Sequence, residues 1–191
     1  MASVSSQASI NSQIIAAVAG WASTFVQNVD TVGASSGARG TSSLTGAFKV
    51  ELLDPRVAAF QFVLNEDVTS AAQPNTNIYG LNFELSNGHL YALGDLFNSG
   101  SNYLATLSAQ SVAQLTSELS AQGVPASQLA NDPGLAPAPA NFSAFSITQS
   151  GLMIEFSQGQ VISTALGALT VTIPYPPLAP LMNPKGPLVD P

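Results

Sequence analysis

The chain has 191 residues, and only 8% of them are Asp, Glu, Lys or Arg, against about 25% in ordinary soluble proteins. A net charge of −7 with four basic residues argues against nucleic acid or an anionic membrane surface as a partner, because both require clustered cations. The absence of cysteine excludes disulfides and thiolate metal sites.

The N-terminal segment, MASVSSQASI, has neither the basic nor the apolar region of a signal peptide. No apolar run in the chain reaches the roughly 18–20 residues that a bilayer crossing requires. A surface poor in charge and rich in Ser, Thr, Asn and Gln favours an exported protein that begins after a removed leader. We therefore predict a secreted or cell-envelope location.

Apolar residues that recur every three or four positions predict an amphipathic helix over residues 7–29. Ile10, Ile14, Val18 and Phe25 form its apolar stripe, and Trp21 is expected to be a core anchor. Gly, Ser and Thr dominate residues 32–43, which predicts a flexible loop.

Alternating apolar residues predict three strands in the next part of the chain. Residues 44–53 and 56–64 are expected to pair as a hairpin around Asp54-Pro55. A strand over residues 79–85 leads to Asn87-Gly88, a strong signal for a tight hairpin turn, so residues 89–93 would form the returning arm.

Residues 101–122 read as helical, and a register break after Leu107, with Ser108 available as an N-cap, indicates two helices rather than one. A proline-rich loop over residues 123–140 follows. Residues 141–175 then predict three adjacent strands, because apolar residues alternate on both sides of Ser150-Gly151 and again in the run that ends at Pro174.

These elements predict the α+β class. We expect a single domain over residues 1–182, in which an antiparallel or mixed sheet is covered on one face by two main helices, residues 7–29 and 101–122. Residues 183–191 are expected to form an irregular C-terminal tail.

Several short motifs occur along the chain in a distinctive order. Ile10-Asn11 lies in the first helix, Asn87-Gly88 ends a strand, and ALGDLF at residues 92–97 precedes YLATLS at residues 103–108. Asn141-Phe142, Gly151-Leu152, Phe156, Gly167 and the VTIPY of residues 171–175 complete the series. In this order the motifs resemble the extracellular RsiV-type domain of unknown function, over nearly the whole chain.

That domain occurs in lysozyme-sensing anti-sigma factors, beside polysaccharide deacetylase domains, and in relatives of the mycobacterial secreted immunogenic antigen. The resemblance implies a lysozyme-like protein or a peptidoglycan glycan as the partner. Two departures bear on a site. Gln73 stands where many relatives carry the histidine of Ala-His-Pro, and GQVIST at residues 159–164 replaces a run with two tyrosines.

A catalytic alternative comes from GASSG at residues 33–37, which matches the G-x-S-x-G nucleophile elbow. Ser35 would be the nucleophile and His89, the sole histidine, its base. The elbow requires a strand before it and a helix after it, whereas a helix precedes this one, so a loop is the favoured interpretation. Some relatives of the family have been described as esterase-like, which keeps a weak esterase-type hydrolase as an alternative to a non-enzyme.

Glu66, Asp67 and Asp95 are the carboxylates that could bind Ca²⁺, which takes oxygen ligands. A solvated rim is the favoured interpretation for Glu66 and Asp67, and a turn cap for Asp95. We therefore predict neither a metal nor a cofactor.

The favoured function is a non-catalytic, exported or envelope-associated binding domain that recognises a protein or a cell-wall glycan. A mean hydropathy of +0.27 and low charge also suggest a structural, self-associating envelope protein. Recognition concentrates in loops on a rigid scaffold, so we expect a partner to contact Gln73, Asn75, Gln158 and Gln160. The polar side of the C-terminal strands, including Ser146 and Glu155, is expected to be open to it.

Overall fold

The computed structural model of the protein describes residues 3–36, 40–69, 71 and 73–188. This part of the chain contains four α-helices and two small antiparallel sheets. The helices are α1 (Val4–Ser36), α2 (Tyr103–Leu119), α3 (Ala126–Ala130) and α4 (Tyr175–Leu178). The predicted α+β class with a single domain is confirmed.

Each sheet has three strands in sequential order, so both are simple meanders. The N-terminal sheet consists of β1 (Ser43–Leu53), β2 (Val57–Asp67) and β3 (Asn75–Glu84). The C-terminal sheet consists of β4 (Phe145–Ile147), β5 (Gly151–Phe156) and β6 (Leu169–Pro174). The single sheet expected from the sequence is therefore divided in two, and each half has its own helix.

Helix α1 covers one face of the N-terminal sheet. Ile10, Ile14, Ala17 and Trp21 lie on one side of the helix and pack against alternate residues of β2 and β3: Phe60, Phe62, Tyr79, Leu81 and Phe83. The predicted helix is real but longer than expected, because its last residue is Ser36. Residues 32–36 of the predicted loop are therefore helical.

Helix α2 covers the C-terminal sheet and builds the larger core. Its buried Leu107, Leu115 and Leu119 pack with the apolar sides of β4, β5 and β6. The predicted break after Leu107 is wrong, since the helix continues through it. The Ser108 hydroxyl donates instead to the carbonyl oxygen of Leu135, 2.6 Å away, and so holds the proline-rich segment against the helix.

The two sheets meet where β3 passes β4. A Cβ atom at Gly80 would overlap with the backbone of Phe145, so only glycine permits this approach. Two residues further on, the fully buried Asn82 donates from Nδ2 to the carbonyl oxygen of Phe145 and accepts at Oδ1 from the N–H of Ile147, both at 2.8 Å. The Asn82 amide thus takes the place of a pairing strand.

The rest of the β3 edge is covered in a similar way by the segment that follows β5. The backbone N–H of Gln158 donates to the carbonyl oxygen of Thr76 (2.8 Å), and the Thr76 N–H donates back to Oε1 of Gln158 (3.0 Å). The Ile78 N–H donates to Oγ of Ser157 at 3.1 Å. Side chains therefore satisfy backbone groups that an edge strand would otherwise expose.

Two connections differ from the sequence prediction. The expected returning arm after Asn87-Gly88 is reduced to one bridge between Phe83 and Leu90, and a 3₁₀ turn at Leu93–Leu96 follows. The Asp95 carboxylate accepts from the Ala92 N–H (2.9 Å), which turns the chain away from the sheet. The expected loop over residues 123–140 contains α3 and 3₁₀ turns at Pro133–Leu135 and Pro139–Phe142.

Beyond the 3₁₀ turn at Ala179–Leu181, the described residues contain no further helix or strand. The segment is nevertheless attached to the domain, because Leu188 is buried in the larger core and the Asn183 N–H donates to the carbonyl oxygen of Leu96. The domain limit at residue 182 stays a prediction.

Candidate functional site

The four predicted contact residues occupy two neighbouring segments. Gln73 is exposed, and Asn75, the first residue of β3, donates from Nδ2 to Oδ1 of Asn77 at 3.2 Å. Gln158 lies beside them through its contacts with Thr76. The structure thus places three of the four residues near one end of β3.

The amides of Gln158 and Gln160 bind backbone groups within the chain. Besides accepting from Thr76, Gln158 donates from Nε2 to the carbonyl oxygen of Thr164 at 3.0 Å. Gln160 accepts at Oε1 from the Ser157 N–H (3.2 Å) and donates from Nε2 to the carbonyl oxygen of Asn141 (2.9 Å). These two glutamines have a structural role, and contact with a partner stays a prediction for all four residues.

The catalytic candidates do not form the expected local structure. Residues 33–36 belong to the last part of α1, so the described part of the serine motif lies in a helix rather than after a strand. The side chain of Ser35 and all of Gly37 lie outside the described residues. His89 Nε2 lies 3.3 Å from Oδ2 of Asp95, and both side chains are about half exposed. In the described part of the chain, no serine hydroxyl bonds to His89, and Ser86 donates instead to Glu84 at 2.6 Å.

The carboxylates considered for a metal lie far apart in the fold. Glu66 and Asp67 end β2, whereas Asp95 follows β3 near the opposite end of the same sheet, where Val57 pairs with Glu84. Glu66 accepts from Nδ2 of Asn77 at 2.9 Å. Within the described ranges, no three His, Asp or Glu side chains are grouped so as to bind a metal.

The polar side of the C-terminal strands is only partly open: Thr170 is exposed, as predicted, whereas Ser146 and Glu155 are covered, contrary to the prediction. Ser146 and Glu155 have no exposed surface, because the N-terminal sheet packs over them. Oε1 of Glu155 accepts from Oγ of Ser146 (2.7 Å) and from Nε2 of Gln61 on β2 (3.3 Å). The partner of this face is the other sheet of the same chain.

The pKa of Glu155 is raised from 4.5 to about 7, chiefly by burial and to a smaller extent by the nearby negative charge of Glu51 on β1, although the hydrogen bonds from Ser146 and Gln61 act to lower it. The second carboxylate oxygen of Glu155 and one oxygen of Glu51 are buried without a hydrogen-bond partner in the described chain. The other Glu51 oxygen binds Lys49 at 2.9 Å. Because Glu155 reaches no solvent, it cannot meet a substrate, and its protonation affects the packing of the two sheets instead.

The outer edge of β1 is the exposed counterpart of the covered β3 edge. The strand has 11 residues, about twice the usual length, and in the described structure it pairs on one side only, with β2. Edge strands are normally protected by proline, charge, bulges or short length. Here the only such features are Lys49, the Lys49-bound Glu51 and a bulge between Val50 and Leu52.

Apolar side chains accompany this free edge. Phe48 and Val50 pair with Phe62 and Phe60, so they lie on the face that α1 covers. However, α1 packs over β2 and β3 rather than over β1, so Phe48 stays 66% exposed and Val50 45% exposed. Leu53, at the end of β1, is 70% exposed.

A groove of about 580 Å³ separates the N-terminal half of α1 from the β1–β2 turn. Ile10 and Asn11 of α1 form one wall, and Leu53, Asp54 and Phe60 form the other. We call the outer edge of β1, its exposed apolar residues and this groove the open-edge surface. It is a concave apolar surface beside unpaired backbone groups, and sequence reasoning missed it because alternation alone does not show which strand lies at the edge.

Part of the chain is similar to a family of known proteins. Residues 94–176 match the family model described as "Protein of unknown function (DUF3298)". A DUF3298 family member from Bacteroides fragilis superposes with a TM-score of 0.62 at 18% identity, over 93% of this chain and 71% of its own. One from Pseudomonas aeruginosa gives 0.56 at 15% identity, over 77% and 65%. No curated protein matches the chain significantly.

These likenesses establish a shared fold. The DUF3298 match begins at the 3₁₀ turn before α2 and ends at the start of α4, so it includes the C-terminal sheet and most of the larger core. Helix α1 and strands β1 to β3, which carry the open-edge surface, lie outside the matched segment.

In the described residues, no helix combines the length and hydrophobicity needed to cross a membrane.

Proposed function

We propose that this chain is an exported or cell-envelope binding domain, without catalytic activity, that recognises a protein or a cell-wall glycan. The observation that carries the proposal is the long free edge of β1 beside an exposed apolar groove. Between these alternatives, the open-edge surface favours a protein, because an extended peptide segment can use the unpaired N–H and C=O groups of a strand edge.

Binding would extend the N-terminal sheet by one strand. Main-chain hydrogen bonds to β1 would supply affinity, and alternate side chains of the partner strand would contact Phe48, Val50 and the groove. The groove contains one charged residue, Asp54, so the matching segment has mainly apolar side chains on that face. A lysozyme-like protein is the first candidate, on the sequence resemblance alone.

Two variants test the site. Phe48→Lys combined with Val50→Lys places charges on the open-edge surface, whereas Val26→Lys changes an apolar residue of α1 that is also largely exposed, at 54%. Binding of lysozyme and of soluble peptidoglycan fragments is measured by biolayer interferometry on the immobilised domain. We expect the double variant to lose at least about tenfold in affinity for lysozyme and the control to retain it.

Undiminished lysozyme binding by the double variant would contradict the site, and absence of lysozyme binding by the unmodified chain would contradict the named partner. Light scattering after size exclusion identifies self-association: a dimer that the double variant disrupts would assign the edge to a second copy of the chain.

The hydrolase alternative rests on the contact between His89 and Asp95. A p-nitrophenyl ester assay separates it from the binding proposal. We expect no turnover above background in the unmodified chain; turnover that His89→Ala abolishes would establish the hydrolase instead.

A further inference from the structure

Two adjoining cavities form a second groove, on the side of α1 that faces β3. They have volumes of about 360 and 300 Å³ and share Gly80, Leu81 and Ser143. One extends towards α1, and the other towards Gly94 and α2. This groove is separate from the open-edge surface, with which it shares no lining residue.

Tyrosine and tryptophan side chains are concentrated in this groove. The chain has four tyrosines and one tryptophan, and all but Tyr175 line it: Trp21, Tyr79, Tyr91 and Tyr103. All four are partly exposed. They come from α1, β3, the segment after Asn87-Gly88, and α2, so the fold rather than a local motif brings them together.

The rings are held in fixed orientations by other aromatic residues. Trp21 stacks on Tyr79, with ring centroids 4.2 Å apart and an interplanar angle of 16°. Tyr103 stacks on Phe97 at 4.4 Å and 3°. Trp21 is also in tilted contact with Phe62, with ring centroids 5.3 Å apart. The polar edge of a stacked tyrosine or tryptophan ring can take part in further contacts.

None of the described lining residues is Asp, Glu, Lys or Arg. The polar groups of the groove are the indole N–H and the hydroxyls of Tyr79, Tyr103 and Ser143, the last of which donates to the carbonyl oxygen of Ala140 at 3.0 Å. The Tyr91 hydroxyl is hydrogen-bonded to Glu84 outside the groove. A charged ligand would lose its hydration without gaining an opposite charge here. A purely apolar ligand would offer no partner to the indole N–H or to the hydroxyls of Tyr79 and Tyr103.

We propose that this aromatic groove binds a neutral oligosaccharide. A pyranose ring has apolar C–H faces, which can lie on Tyr and Trp rings, and a rim of hydroxyls, which can exchange hydrogen bonds with tyrosine and serine hydroxyls. The volume is in the range of ligand pockets, about 300–1,000 Å³, that combine an aromatic lining with a few polar groups. The proposal depends only on the groove and is independent of protein binding at β1.

The chain contains its own reporter for this binding, since Trp21 is its only tryptophan. Intrinsic fluorescence is followed while the protein is titrated with chitotetraose, cellotetraose and maltotetraose, and calorimetry confirms each affinity. We expect a saturable change in the fluorescence of Trp21 with at least one of these three neutral tetrasaccharides.

Two variants locate the binding. Ser143→Phe fills the junction of the two cavities from an exposed position, and Tyr103→Leu removes one ring and hydroxyl. We expect each to weaken binding at least about tenfold. Ser117→Phe, at an exposed position on α2 that does not line the groove, should leave affinity unchanged and controls for the added ring.

Absence of saturation with all three sugars would overturn the proposal, as would equal affinity in Ser143→Phe and Ser117→Phe. Loss of lysozyme binding in Ser143→Phe, with no sugar bound by the unmodified chain, would assign the groove to protein docking instead. Folding of every variant is confirmed by circular dichroism, and an unfolded Tyr103→Leu leaves Ser143→Phe as the deciding variant.

Discussion

The two edges of the N-terminal sheet differ sharply. At the β3 edge, Oγ of Ser157 and the side chain and backbone of Gln158 satisfy outward-facing backbone groups of β3, and the Asn82 amide satisfies backbone groups of β4. At the β1 edge, the described chain supplies no such strand or segment, and large apolar side chains stay exposed. The comparison shows that this fold can cover a strand edge with side chains, and that it does so on one side only.

The difference matters because an uncovered edge has a cost. Exposed strands invite pairing with other chains, and natural proteins usually limit that tendency. Here β1 is long, has no proline, and is interrupted only by a bulge near its C-terminal end. We infer that the open edge serves binding, whereas the covered edge serves the cohesion of the two sheets.

The largest effect is expected at the covered edge. Asn82→Leu would leave the carbonyl of Phe145 and the N–H of Ile147 buried without partners. Each such group costs about 1–3 kcal/mol, so we expect a loss of about 4 kcal/mol in the free energy of unfolding, measured by urea denaturation. Asn75→Leu, at the partly exposed start of the same strand, is the control and should cost less than about 1 kcal/mol. Equal losses would show that the Asn82 amide does not join the sheets.

The free energy of unfolding is expected to depend on pH through Glu155, which lies beneath β1. Glu155 faces Gln61 and Glu51, and Glu51 is itself paired with Lys49. The folded-state pKa of Glu155 is raised from 4.5 to about 7, so the folded chain binds this proton more tightly than the unfolded chain. The contribution of Glu155 to stability is therefore full below about pH 4.5 and is lost as the pH rises through 7.

Glu155→Gln removes this titration. At about pH 8 the variant should be more stable than the unmodified chain by up to about 3 kcal/mol, since each pKa unit corresponds to about 1.4 kcal/mol. Urea denaturation from about pH 4 to 8 measures both curves. Glu118→Gln, at an exposed position on α2, is the control. A Glu155→Gln curve with the same slope as that of the unmodified chain would contradict the assignment.

A smaller difference is expected between two of the predicted contact residues. Gln158→Ala removes side-chain hydrogen bonds to Thr76 and Thr164, which should lower the free energy of unfolding by about 1–2 kcal/mol. Gln73→Ala changes an exposed side chain and should cost less than about 0.5 kcal/mol. Thermal denaturation of the two variants measures the difference. A Gln158→Ala variant as stable as the unmodified chain would show that the β3 edge is held by backbone contacts alone.

Local patterns in the sequence predicted the elements well. The 3.6-residue period found α1 and α2, and the two-residue period found the strands, because both repeats reflect which side chains face the core. The α+β class followed from their order. The family resemblance agreed with the DUF3298 match at the level of a domain of unknown function.

What could not be predicted depends on contacts between distant segments. Alternation assigned Ser146 and Glu155 to a polar face, but it could not show that β1 to β3 cover that face. Asn82 lies between the alternating apolar residues of β3, and no local pattern shows that it occupies the sheet junction. Trp21 was expected to be a core anchor, and it does pack against β2 and β3, but its place in the aromatic groove depends on tyrosines from three other elements.

Native-state hydrogen exchange of the isolated chain tests the contrast between the two edges most directly. The amides of Thr76 and Ile78 at the β3 edge should be protected, because Gln158 and Ser157 accept their hydrogen bonds. The outward-facing amides of β1 between Ser43 and Val50 should exchange rapidly and become protected when the partner binds. Protection of these β1 amides in the isolated monomer, equal to that at Thr76 and Ile78, would contradict an open edge.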